Sequence, residues 1–279
     1  MTPAIESSDG ETYHSDFTLS ITKALGDQLA DALDKLGTAP LSEASLQQLA
    51  EKAGVYQLYL RGEFVYVGKA DKSLPGRLRN HLRKLSGRRG LSLSEISFSC
   101  LYVAEDFSAL APEQLLINHH KGRGAIPWNN NGFGNKDPGR RRDDTTLKAN
   151  HFDMTYPINL DYVVQGLTPG ITPLHRLLEQ VKAALPYNFR YERLASFRSK
   201  TLTIPSADLT ADWIFRRISG EIPGSWQVAA LMGYVIMYDD RRKDYPSAWR
   251  YYRDGYPVDA SPEAEPAGSI SESDAGEED

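Results

Sequence analysis

One cysteine in 279 residues, Cys100, excludes an intramolecular disulfide and any zinc site built on thiolates, and it suits a reducing compartment. No apolar run approaches the ~20 residues that a membrane helix needs. The first 16 residues are polar and acidic and lack the basic-then-apolar plan of a secretory leader. The last 19, from Ser261 on, hold no basic residue against seven acids. The chain is therefore expected to be soluble and cytoplasmic, with no membrane partner. What is present is an ordinary globular composition, 41% hydrophobic and 25% charged, enough for a sizeable core and too apolar for wholesale disorder. The net charge of −5 hides a segregation: without the tail's seven acids the first 260 residues carry +2. Residues 68–150 alone hold fifteen Lys/Arg against eight Asp/Glu. A basic middle of that kind fits a polyanion, and equally a solvated surface.

The length suits two domains, or one large domain with appendages. Residues 1–16 are expected to be disordered. Leu19, Ile21, Leu25, Leu29, Leu33 and Leu36 recur at helical spacing and predict a helix over 18–36, closed by Gly37; a second, over about 41–52, follows Pro40. The period then changes. Residues 54–60 (GVYQLYL) and 64–68 (FVYVG) are β-branched and aromatic and flank Arg61-Gly62-Glu63, which predicts a hairpin. A helix over 74–85 starts with Pro75 and stops before Gly87. A third strand is expected over 96–104, and a helix from Pro112 to about His120. The Gly/Asn/Pro-rich run 127–139 reads as an ordered loop, followed by the basic triplet Arg140, Arg141 and Arg142. Beyond Tyr156 the pattern predicts a helix near 174–185, a strand near 198–204 and a helix near 226–238. The tail after Ser261 reads as a disordered acidic segment.

Several residues carry chemistry in this order. Arg77 and His81 are i and i+4 on one helix and share a face, so the two can address one phosphate, with Arg77 as a planar fork for its oxygens. On a blander reading they belong to a basic surface helix with Arg79, Arg83 and Lys84. Glu113 follows Pro112 in a first helical turn, where the dipole favours an ionised carboxylate. Tyr56 and Tyr66 face each other if the hairpin loop has three residues centred on Arg61, whereas a two-residue loop separates them. His119-His120 lacks zinc spacing and reads as a helix C-terminus interacting with its own carbonyls. Trp249, Tyr251, Tyr252 and Tyr256 read as a packed edge or as a base-stacking patch.

Gly54-Val55-Tyr56 and Tyr66-Val67-Gly68, with Arg77, His81, Glu113 and Asn129 in that order, make the chain resemble the GIY-YIG nuclease superfamily. The run PWNNNGFGNKDPG followed by YPINLD is similar to its restriction-endonuclease branch, specifically enzymes that cut CCGCGG. The resemblance covers about residues 50–195. It implies an α/β (α+β) fold with a small central, mixed or antiparallel three-stranded sheet flanked by helices, within a nuclease domain over 54–204. A helical arm over 17–53 would precede it, and an accessory region over 205–260 would follow. It implies Tyr56 as general base or water-positioner with Tyr66 alongside, and Arg77 and His81 at the phosphate. Glu113 would be the one protein ligand of Mg2+, with Mn2+ as a substitute, and Asn129 would tie the loop to the site. Lys69, Arg79, Arg123, Arg140, Arg141 and Arg142 are the candidate DNA contacts. The expected activity is Mg2+-dependent, site-specific cleavage of double-stranded DNA in host defence. A non-catalytic DNA-binding protein and a nicking nuclease of the repair or mobile-element kind are the alternatives. Cutting both strands of a palindrome calls for a homodimer, formed on DNA if not before. The leucine stripe of the first helix is expected to pack on its own core or clasp the partner, and partner contact is preferred.

Overall fold

Residues 21–103, 115–117, 119, 126–134 and 139–266 are described by a computed structural model. Within them the chain is a mixed α/β structure with several antiparallel sheets and helices. The tyrosine-rich runs pair as expected. Strands β1 (Ala39–Pro40), β2 (Gly54–Leu60), β3 (Glu63–Ala70) and β4 (Ile96–Tyr102) form an antiparallel sheet in the order β1-β4-β2-β3. Three strands were expected. The fourth is a two-residue edge, the place where Pro40 costs the sheet least.

The two faces of this sheet are covered differently. Helix α1 (Ile21–Asp34) lays Ala30 and Leu33 against Val55 and Val67, together with Leu116 and Ile126. Leu33 of the expected stripe thus packs on the chain's own sheet, one of the two outcomes expected, while Leu36 stays exposed. On the other face helix α2 (Leu74–Ser86) buries Leu74, Leu78 and Leu85 against Tyr56 and Leu58. The Ser73 hydroxyl caps α2 by accepting from the Gly76 N–H at 2.9 Å, and Pro75 sits in the first turn, where its missing donor does no harm. The helix expected over 41–52 shrinks to one turn, Glu43–Leu46. Beyond it the Lys52 carbonyl accepts from Leu74 N, which ties the extended chain to the start of α2.

A second, larger sheet follows, in the order β9-β8-β6-β7-β5. Its strands are β5 (Phe189–Tyr191), β6 (Gln227–Leu231), β7 (Val235–Tyr238), β8 (Ala248–Arg253) and β9 (Tyr256–Asp259), with only β5 and β7 parallel. The helix expected over 226–238 is thus a hairpin, β6 and β7. Val228, Ala230, Val235 and Met237 face a core that includes helices α3 (Leu174–Ala184) and α4 (Ala211–Ser219). Ala229, Leu231 and Ile236 face a second cluster with Tyr245 and Tyr251. A hairpin buried on both faces shows no alternation, so periodicity cannot separate it from a buried helix. The strand expected over 198–204 starts at Thr201 and pairs with Gly170–Pro173. One hydrophobic cluster runs from Ile158 to Tyr252. In the tail, Ala264–Glu265 pairs with Leu147–Lys148, which corrects disorder from Ser261 onward. Residues 1–16 and 267–279 lie outside the described residues.

The two sheets meet at a buried ion cluster. Asp153 starts a single helical turn, Phe152–Thr155, and is 2% exposed. Arg88 Nη1 lies 2.9 Å from Asp153 Oδ1, and Arg142 pairs with Oδ2. Burial alone would push the Asp153 carboxyl up, yet Arg88 and Arg142 outweigh it and hold it below the ordinary value. Arg88 also donates to the carbonyls of Tyr156, Met232 and Gly233, so it spans from α2 to the β6–β7 turn. Gly233 has to be glycine here, because a Cβ would sit 2.7 Å from Asp153 Cγ. Removing one partner strands the other charges in a dry site. Asp153→Ala should lower the unfolding free energy by about 3–5 kcal/mol, read by urea denaturation; a loss under about 1 kcal/mol would mean water already screens the cluster.

Candidate functional site

The hairpin decides where the two tyrosines go. Its turn has two residues, Arg61 and Gly62, both at positive φ (54° and 83°), and Leu60 pairs with Glu63. With that loop alone Tyr56 and Tyr66 would point to opposite faces. A bulge after Phe64 shifts the register by one, so that Leu58 pairs with Tyr66 and Tyr56 with Gly68. The two phenols return to one face as diagonal neighbours, their ring centroids 6.1 Å apart. Gly68 is the residue between them: a Cβ there would meet Tyr56 Cζ at 2.6 Å and Tyr66 Cε1 at 2.8 Å.

Helix α2 brings the bases to the phenols. Tyr56 Oη lies 2.6 Å from His81 Nε2 and accepts from Arg77 Nε at 3.3 Å. Burial, then Arg77 and Lys84, push the His81 imidazole well below its usual value, so the ring is neutral. A neutral ring whose Nε2 is bare takes the phenol proton as acceptor, while the phenol oxygen faces the Arg77 N–H. Burial would lower the Arg77 pKa, but the oxygens of Tyr56 and Tyr66 raise it, so the guanidinium is a permanent cation at half-depth. Phe133 closes the cluster, stacked on His81 at 4.8 Å and edge-on to Tyr66 at 4.9 Å. Tyr56 is fully buried, Tyr66 and His81 almost so.

The other expected residues are placed as follows. Asn129 works through the backbone: Oδ1 accepts from Val67 N and Nδ2 donates to Val67 O, both at 2.9 Å, so the amide pairs with the edge of β3 inside Tyr66-Val67-Gly68. Asn131 donates to Pro127 and Asn150 carbonyls instead. Lys69 is exposed, 3.5 Å from Asp71, and Arg79 pairs with Glu43. Of the triplet, Arg140 pairs with Glu192 and lies over Tyr238, and Arg142 belongs to the Asp153 cluster. Arg141 is exposed and has no ion pair among the described residues. Glu113, Arg123 and His120 lie outside the described residues. His119 reaches Asp27 on α1 at 2.6 Å, across the packed face, which corrects the expectation that it serves its own helix end. Tyr251 and Tyr252 are core, Trp249 is half-buried beneath Arg89 and Arg250, and Tyr256 is exposed.

No group of three or more His, Cys, Asp or Glu suited to a metal ion exists among the described residues. Among the described residues the side chains against the phenol cluster are aromatic or cationic, which suits a phosphate. No protein-family model matches the sequence, and no curated protein matches it. No helix among the described residues is long and apolar enough to cross a membrane.

Lys84 and Arg88 continue the face begun by Arg77 and His81, at steps of four, three and four residues. That spacing is visible in the sequence, where Lys84 reads only as part of a basic surface. The Lys84 ammonium donates to the Phe133 carbonyl and lies 4.9 Å and 5.3 Å from the Phe133 and Phe152 ring centroids. Burial drives its pKa from 10.5 down to about 7; Asp153 raises it, while Arg88, Arg142 and Arg77 lower it. The unfolded chain therefore binds the extra proton between about pH 7 and the ordinary lysine value, and this group's contribution to stability rises with pH through that window. Below about pH 7 the full cost stands. In Lys84→Met the rise should vanish, so between about pH 7 and 9 the variant's unfolding free energy climbs less than the parent's, by up to about 1 kcal/mol per pH unit. Urea titrations at both pH values measure it, and parallel slopes would show that Lys84 is solvated.

Proposed function

We propose that the chain is a GIY-YIG-type endonuclease that hydrolyses phosphodiesters of double-stranded DNA, with the restriction type favoured over a nicking type. The observation that carries the reading is the Tyr56 phenol held between a neutral imidazole and a guanidinium. His81 accepts the phenol proton, the phenol oxygen in turn orients or deprotonates the attacking water, and Arg77 meets the charge that grows on the phosphate oxygens. Asn129 is a positioning residue on this reading, because it fixes the strand that carries Tyr66 rather than touching substrate. Mg2+, or Mn2+ in its place, belongs to the resemblance through Glu113, and the described residues offer it no ligand cluster. The enclosure of Tyr56 has a consequence: a phosphate reaches its oxygen only if the packing around the phenol gives way.

That same enclosure favours the second reading, a DNA-binding protein on the same scaffold without catalysis. Supercoiled plasmid incubated with the protein and Mg2+, followed by sequencing of the ends, separates the readings. Linear product with one recurrent end sequence supports the restriction reading, nicked circle the nicking type, and binding without cleavage the second. Tyr56→Phe should cut the rate at least a hundredfold with little change in stability, since only a hydroxyl is lost. A near-normal rate would make Tyr56 a core aromatic. Glu113→Ala should abolish cleavage while gel shifts without metal stay unchanged; persistent Mg2+-dependent cleavage removes Glu113 from the site. A homodimer is the simplest way to cut both strands of a palindrome. Mass measurement with a cleavable duplex should give two chains per site, and one chain per cleaved site would rule the dimer out.

A further inference from the structure

Beside the Asp153 cluster a groove of about 950 Å3 opens between α2 and the second sheet. Seven of its lining residues are Lys or Arg and two are acids, Asp153 and Glu179. Asp153 is already shared by Arg88 and Arg142, so the groove keeps a clear cationic excess. Arg88, 5% exposed, also has an Nε–H with no acceptor among the described residues. Lys84 links the groove to the phenol site, for it lines the first and donates to Phe133, which stacks on His81. Arg77 and Lys84 are seven residues apart on α2, about 10 Å along the axis.

We infer that this groove seats the sugar–phosphate backbone of duplex DNA beside the bond cut, so that the second sheet supplies the far half of the substrate surface. The inference rests on the nuclease reading and extends it to α3 and the edge of the second sheet, for which the sequence suggests no role. A phosphate there faces Lys84 and Arg88 in the floor, while Lys182 and Arg193 form the rim. The rim pair is suited to mutation. Both side chains are exposed, Lys182 from α3 over the Tyr191 ring, and Arg193 beside Glu179 at 3.7 Å and hydrogen-bonded to the Tyr191 phenol.

The test uses the full chain, without divalent metal, and a labelled duplex of roughly two turns, about 21 bp. Affinity is read by anisotropy across a salt series. The double variant Lys182→Gln/Arg193→Gln should give a salt slope shallower by roughly 1.8, which is two phosphate contacts at about 0.9 each. Lys182→Glu/Arg193→Glu should bind at least roughly tenfold more weakly at about 0.1 M salt, with melting temperatures of both variants near the parent's. Unchanged slope and affinity would overturn the groove while leaving the nuclease reading intact. No binding by the unaltered protein would overturn both. Inorganic phosphate is the third arm. If millimolar phosphate raises the melting temperature as much as the duplex does, and both variants lose that rise, the occupant is a small phosphate compound and the DNA assignment fails.

Discussion

The charged contact on which the junction of the two halves turns is one buried carboxylate, backed by Arg83 on the Ala183 and Leu185 carbonyls and by Arg190 on Asp143. Asp153 is buried where the chain leaves the first core, with Phe152 packed under Trp128 and Phe133, and enters the second at Ile158. Left alone at that depth it would protonate; between two guanidinium groups it stays ionised, and Arg88 extends the same network to three carbonyls on both sides. The cluster fixes the angle at which α2 meets the β6–β7 turn. It therefore fixes the groove as well, since Lys84, Arg88 and Arg142 are floor and cluster at once.

The same helix connects this cluster to the phenols. Along one face of α2 the side chains run from Arg77, open to one side, through His81, enclosed and neutral, to Lys84, whose proton is held loosely, and on to Arg88 just past the helix end. Four basic groups in a row repel one another, and burial raises the cost. The fold tolerates the row by neutralising His81, loosening Lys84 and pairing Arg88. Of the three, Lys84 is the one whose charge an anion would relieve, and it is the physical link between the proposed chemistry at Tyr56 and the proposed seat for DNA.

The rim of the protein shows the opposite arrangement. Arg61 with Glu95, Arg79 with Glu43 and Arg140 with Glu192 are exposed pairs that contribute little to stability and hold cations away from the groove. Of the basic triplet, only Arg141 is left without an acid among the described residues. A run of like charge in the chain has thus been divided among a buried cluster, a surface pair and solvent.

By itself the sequence determined the local elements of the first half, because β-branched and aromatic runs broken at Arg61-Gly62-Glu63 mark the hairpin, and Ser73, Pro75 and Gly87 mark the ends of α2. The hairpin, the capped α2 with Pro75 and Gly87 at its ends, and the third strand all follow from period and capping chemistry. It also determined that Arg77 and His81 share a face. The hairpin between 227 and 238 was not legible, since burial on both faces erases the period that marks a strand. Nor was the meeting of Tyr56 and Tyr66, which needed a two-residue turn and a bulge, two register changes that no propensity signals. Asp153 and Lys84 look like surface charges in the chain. Only tertiary packing, by bringing residues 88, 142 and 153 to one dry point, decided that they are not.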